Sequence, residues 1–139
     1  MLADVDPAEF RSKGWDPSDR PVRRAMHFFD ENRRVQMQVR ALRNDNFAAF
    51  WNYVNESGNA SWELLQNITP LGATAHQEMA LTLALCRKLL GGEGAVRVHG
   101  GGFAGTVLAF VPSGKFAQFR ADVASVLGDD CCHELRITG

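Results

Sequence analysis

Apolar positions recur at helical spacing through most of the chain and switch to short β-rich runs near its end. Ala25, Phe28, Val35, Val39 and Leu42 follow one another at three-, four- and seven-residue intervals, interrupted by Asn32. That stripe predicts one long helix starting near Pro21 and ended by the turn Asn44-Asp45-Asn46. Phe47, Phe50, Trp51 and Val54 continue the helical spacing up to Gly58, with Asp45 as the expected N-cap. A shorter helical piece is expected over residues 61–66. Thr74 followed by Gln77 reads as a capping box, opening a helix that runs to Leu90 and stops at Gly91-Gly92. Ala80, Leu81, Leu83, Ala84, Leu85, Leu89 and Leu90 leave that helix little polar face, so it is expected to be the most buried.

The period then changes. Residues 95–99 and 106–111 are short, β-rich runs joined by a glycine-rich turn, and Pro112 ends the second. Ser113 can cap a further helix with the stripe Phe116, Phe119, Val123, Val126 and Leu127, closed by Gly128. A last strand is expected over residues 131–138, with His133, Leu135 and Ile137 on one face. The order is three helices, two strands, a helix and a strand: an α+β fold with helices packed on one face of a small antiparallel sheet. Residues 1–19, with Pro7, Gly14, Pro17 and few aliphatics, read as a poorly ordered leader or linker remnant ahead of one domain over residues 20–139.

Composition narrows the function classes. The chain has 139 residues, 45% of them hydrophobic, which suits one domain with its own core. A net charge of -1 gives no whole-molecule attraction to nucleic acid or anionic lipid, and the Arg-rich stretch 20–43 reads as a solvated helix face. Neither a signal segment nor a membrane-length apolar run is present, and three cysteines fit reduced thiols. A cytoplasmic, soluble protein is the expectation. The sequons at Asn55, Asn59 and Asn67 then read as chance matches.

The glycine run carries the most chemistry. Gly100, Gly102 and Gly105 match the G-x-G-x-x-G of dinucleotide folds, but there the pyrophosphate sits on the helix that the loop opens, and here a strand follows. With Val107 the residues also match the glycine loop of protein kinases, yet no V-A-I-K lysine, H-R-D or D-F-G follows. The G-K-[ST] ending of the phosphate loop is absent. Residues without a Cβ still let a phosphate or another chain segment approach the backbone N–H groups, so the turn is either a phosphate-facing loop or a tight, ligand-free hairpin.

Sequence context adds a resemblance. The run 95–107, Ala-Val-Arg-Val-His-Gly-Gly-Gly-Phe-Ala-Gly-Thr-Val, is similar to the third motif of GHMP kinases in its galactokinase form. Residues 24–34, beginning Arg24-Ala25-Met26-His27, resemble the start of the galactokinase C-terminal helical region, and 42–50 and 55–57 extend the likeness. Ala104 stands where many galactokinases have Gly, His99 where they usually have Thr, and residues 67–76 differ from the family's usual loop. The resemblance covers residues 21–139 and implies the ferredoxin-like C-terminal domain of a GHMP kinase. It further implies that Gly100, Gly101, Gly102, Phe103, Ala104 and Gly105 close a nucleotide and sugar cleft, with His99 beside the substrate. The family's phosphate loop and its catalytic Asp and Arg belong to an N-terminal lobe that these residues do not include. No catalytic residue is therefore expected in this chain, and no turnover from it alone. ATP, Mg²⁺ and galactose or a related sugar would be bound in the whole enzyme, with none held tightly by this chain. The N-terminal lobe is the implied partner, and self-association a possible compensation for its absence. A stand-alone binding or dimerisation module is the alternative.

Three further groups invite functional readings. His27, flanked by Phe28 and Phe29, reads as a packing residue. Cys131, Cys132 and His133 lack the second ligand pair that a zinc site needs, so no metal is expected. Phe50, Trp51 and Trp62 could form a sugar platform but read as core.

Overall fold

A computed structural model describes residues 1–70, 72, 75, 77–100 and 105–136. Its elements are α1 (Pro7–Ser12), α2 (Arg20–Arg43), α3 (Phe47–Ala60), α4 (Glu78–Leu90), β1 (Ala95–His99), β2 (Thr106–Phe110) and α5 (Phe116–Leu127). A π-helical turn, Ser61–Leu65, extends α3.

Proline in the first turn suits α2, where an amide donor would have no intrahelical acceptor. The helix ends at Asn44, followed by Asp45 in the left-handed region at φ 52°. This geometry corrects the cap of α3. Asn46, not Asp45, sits at the N-cap, and its side chain accepts the Ala49 N–H at 3.0 Å. Gly91, at φ 58°, ends α4 as the sequence predicts. The N-cap of α4 is Gln77, and Thr74 of the expected capping box lies outside the described residues. Ser113 opens a short 3₁₀ turn ahead of α5 rather than capping it, since Lys115 holds the N-cap position.

β1 and β2 pair antiparallel, from Ala95 against Phe110 to His99 against Thr106. Val96, Val98, Val107 and Ala109 share one face of this ribbon, and α4 and α5 lay Met79, Leu83, Cys86, Leu90, Phe119 and Val123 against it. The fold is α+β, helices on a small antiparallel sheet. α4 is less uniformly buried than its composition suggests, because Leu81 and Ala84 face outward.

The outer edge of β1 is covered by a side chain. Asn55 of α3 accepts the Val96 N–H at 3.0 Å and donates to the Gly94 carbonyl at 3.4 Å, taking the place of a neighbouring strand. Helix and strand approach closely there because position 58 is glycine: a Cβ would lie 2.9 Å from the Arg97 Cβ and 3.3 Å from the Val96 carbonyl oxygen.

Two sequence expectations fail for physical reasons. The stripe Val35, Val39, Leu42 points outward, at 48%, 41% and 44% exposure, whereas Val22, Ala25, Phe29 and Ala41 are the buried residues of α2. The middle of α2 meets α3 through Glu31 and Ser57, a polar contact that an apolar stripe does not report. The strand expected over 131–138 is absent from its described part. Residues Asp129–Cys131 form a 3₁₀ turn, residues 132–136 follow without pairing, and Leu135 is 79% exposed. The β1 edge that could have received it is occupied by Asn55; Ile137 and Thr138 lie outside the described residues.

Ahead of α2, the segment read as a leader holds α1, capped by Asp6. Phe10 contacts Phe29 with ring centroids 5.3 Å apart, and Arg11 pairs with Asp30 at 2.7 Å. No helix among the described residues is long and apolar enough to cross a membrane.

Candidate functional site

The glycine turn connects the two paired strands, and its described ends are Gly100, at φ 73°, and Gly105. Gly101, Gly102, Phe103 and Ala104 lie outside the described residues. His99 is exposed and closes the ladder opposite Thr106.

Beside Gly100 opens a cleft of about 280 Å³, lined by Arg24, His27, Ser61, Leu65, Asn67, Arg97 and Gly100. The first half of α2 supplies Arg24 and His27, three residues apart and so on one helix face. The π-turn after α3 supplies Ser61 and Leu65, and Gln66 at φ 53° turns the chain so that Asn67 follows them. β1 supplies Arg97, whose side chain lies opposite the core residues Val96 and Val98 by strand alternation. His99 does not line this cleft.

A charged network holds Arg97, its one member that lines the cleft. Arg97 donates from Nη1 to Ser57 Oγ and from Nε to the Val98 carbonyl at 3.0 Å. Ser57, fully buried, donates to Glu31 Oε1 at 2.5 Å. Glu31 also accepts from Arg34 at 2.6 Å, and its carboxylate lies 3.6 Å from Arg97 Nη1. One carboxylate thus stands between two guanidinium groups. Arg24 has no carboxylate within ion-pair distance among the described residues.

Among the described residues three buried polar atoms have no hydrogen-bond partner: His27 Nδ1 and Asn67 Oδ1, both of cleft-lining residues, and Arg23 Nε. Asn67 is 5% exposed, and its amide nitrogen makes one long bond, 3.4 Å, to Ser61 Oγ. Burial holds the His27 pKa below its ordinary value; Glu31 opposes the shift, Arg34 and Arg97 add to it, and Asp30 opposes it. The imidazole is therefore neutral at neutral pH.

This arrangement suits an oxyanion. Among the described residues no group of three or more His, Cys, Asp or Glu could hold a metal ion. Cys131 and Cys132 have sulfurs 3.5 Å apart. Burial, followed by the Cys131 hydrogen bond, pushes the Cys132 thiol up to about 11, which makes it a poor ligand or nucleophile. The aromatic residues do not gather into a platform. Phe50 packs edge-on against Phe110 at 5.4 Å, Trp51 is half-buried, and Trp62 is 41% exposed.

Sequence reasoning locates the turn but passes over Arg24, Asn67 and Arg97. The available signal is Arg97 within an otherwise apolar strand, together with Arg24 and His27 at helical spacing. Asn67 carries no comparable signal.

No family model matches the chain. Galactokinases do resemble it. Those of Actinobacillus pleuropneumoniae serotype 5b and Mannheimia succiniciproducens are 26% identical over 126 residues, and that of Pasteurella multocida 27% over 128. Each alignment covers 88% of this chain and 31% of the relative. The solved structure of Lactococcus lactis galactokinase complexed with galactose superposes with a TM-score of 0.68 at 24% identity, covering 91% of this chain and 31% of that one. The chain spans about a third of the length of the curated relatives it matches. Its resemblance to a galactokinase segment, read first from the glycine run and the Arg-His helix, extends over most of its sequence and its fold.

Proposed function

We propose that residues 20–139 are the C-terminal lobe of a galactokinase-like sugar kinase, with residues 1–19 leading into it. The observation that carries this reading is the asymmetry of the match: nearly all of this chain aligns to under a third of a galactokinase. In the whole enzyme ATP with Mg²⁺ supplies the phosphoryl group. This lobe's part is positioning: the backbone amides of Gly100–Gly105 face the phosphates, His99 stands beside the sugar, and the Arg97–Ser57–Glu31 network holds the strand from which the turn springs. The N-terminal lobe carries the phosphate loop and the catalytic residues. The exposed line Val35, Val39 and Leu42 is a surface for that lobe to cover. A cytoplasmic enzyme fits this reading.

A stand-alone ligand-binding module is the second reading, favoured by the cleft beside Gly100 with its two arginines and the unpartnered Asn67 Oδ1. Complementation separates the two. ATP-dependent galactose phosphorylation is expected when the chain is co-expressed with the N-terminal two-thirds of a galactokinase, and none from either piece alone. Turnover by this chain alone contradicts the lobe assignment, and failure of the pair to recover turnover favours the module.

A further inference from the structure

The cleft beside Gly100 has a chemistry that specifies its occupant more closely than the lobe assignment does. Its charge is unbalanced. Glu31 is already held by Arg34 and Arg97, Asp30 is paired with Arg11, and Glu56 lies 3.8 Å from Arg34, so the Arg24 guanidinium at the rim has no counter-ion among the described residues. An anion entering the cleft meets Arg24 and Arg97 together, and guanidinium groups match the oxygens of a phosphate.

Positive charge is not the whole surface. Asn67 Oδ1 is an acceptor in a residue 5% exposed, with no donor among the described residues. Native proteins rarely leave such an atom unpaired. An anion cannot satisfy it, whereas a hydroxyl can. His27 Nδ1, also unpartnered and on a neutral ring, is a second site for a hydroxyl. Leu65 adds one apolar contact, of the kind the C–H face of a sugar ring makes.

Size sets the upper limit. Pockets for drug-sized ligands run from about 300 to 1,000 Å³, and this one, at about 280 Å³, lies just below that range. A monosaccharide with one phosphate is of the right order and a nucleoside triphosphate is not. At Gly100 a Cβ would meet nothing within 4 Å among the described residues.

We infer that this cleft binds a small hydroxylated phosphate ester of the sugar-phosphate class, with Arg24 and Arg97 on the phosphate and Asn67 Oδ1 accepting from a hydroxyl. The inference rests on reading the cleft as a ligand site, and it concerns the chain alone.

The test is a calorimetric or NMR titration of the 139-residue chain at low ionic strength, with a hexose 1-phosphate, inorganic phosphate, free hexose and ATP as separate probes. The hexose 1-phosphate is expected to bind at least about tenfold more tightly than each of the other three, one to two added hydrogen bonds being enough for that ratio. Arg24→Gln is expected to weaken it about tenfold with an unchanged melting temperature, since Arg24 is exposed and unpaired, and Arg24→Lys to retain part of the affinity. Absence of binding, or binding indifferent to Arg24→Gln, overturns the inference. Equal affinity for inorganic phosphate overturns the assignment of Asn67, and tighter binding of ATP overturns the size argument. The titration uses no second lobe and complementation uses no sugar phosphate, so either can fail while the other succeeds.

Discussion

The two sides of β1 are held by opposite means. On the face toward α4 and α5, Val96 and Val98 are buried among Leu83, Cys86, Leu90, Phe119 and Val123, with Ile68 completing the cluster. That contact is non-directional and scales with apolar area. Toward α2 and α3, the strand is held by Asn55 on its backbone and by the Arg97–Ser57–Glu31–Arg34 chain on its side chain. That contact depends on geometry and on every member being present. The cleft lies on the polar side, where arginines can be presented to a ligand without being buried in hydrocarbon. The apolar side supplies the rigidity.

If this division is right, the two sides respond differently to damage. Leu83→Ala opens a void in the apolar face and is expected to cost about 2–5 kcal/mol, read by chemical denaturation, while sugar-phosphate affinity of the folded fraction stays unchanged. Ser57→Ala removes the hydroxyl between Glu31 and Arg97 and is expected to cost about 1–3 kcal/mol and also to weaken ligand binding, since Arg97 loses its anchor. A Ser57→Ala chain that binds normally would break the comparison.

The smallest effect is a pH dependence. The native His27 pKa lies below its ordinary 6.5, chiefly through burial, with Glu31 and Asp30 opposing and Arg34 and Arg97 assisting. As pH falls through 6.5 the unfolded chain takes up a proton that the native chain does not, so stability declines with falling pH over that window. His27→Gln is expected to flatten this part of a melting-temperature profile. An unchanged slope would mean that the imidazole titrates alike in both states.

Much of this division is visible in the sequence, but only on its apolar side. The helices, the glycine stops of α4 and α5 and the strand-turn-strand order follow from spacing, because burial against the Val96 face imposes a period on α4 and α5; the stop expected at Gly58 does not hold, since α3 runs through it to Ala60. The polar side leaves no such trace. Glu31, Ser57 and Arg97 look like solvated residues until the fold brings them together, so α2 reads as buried along Val35, Val39 and Leu42 when that line faces outward. The alternation of His133 and Leu135 predicts a strand, but alternation alone supplies no partner, and on β1 Asn55 already holds the Val96 N–H and the Gly94 carbonyl. Arg24 and Asn67 belong to the cleft only because the left-handed Gln66 folds the chain back toward α2.

The role proposed for the glycine turn is positioning, on a scaffold stabilised elsewhere, and one measurement reaches it directly. Gly100→Ala in the chain co-expressed with a galactokinase N-terminal portion places a side chain at φ 73°, with no other atom of the described residues within 4 Å of it. It is expected to cost about 1 kcal/mol of stability and to lower the turnover of the reconstituted pair about a hundredfold. Turnover equal to that of the unsubstituted pair would contradict the role given to the turn.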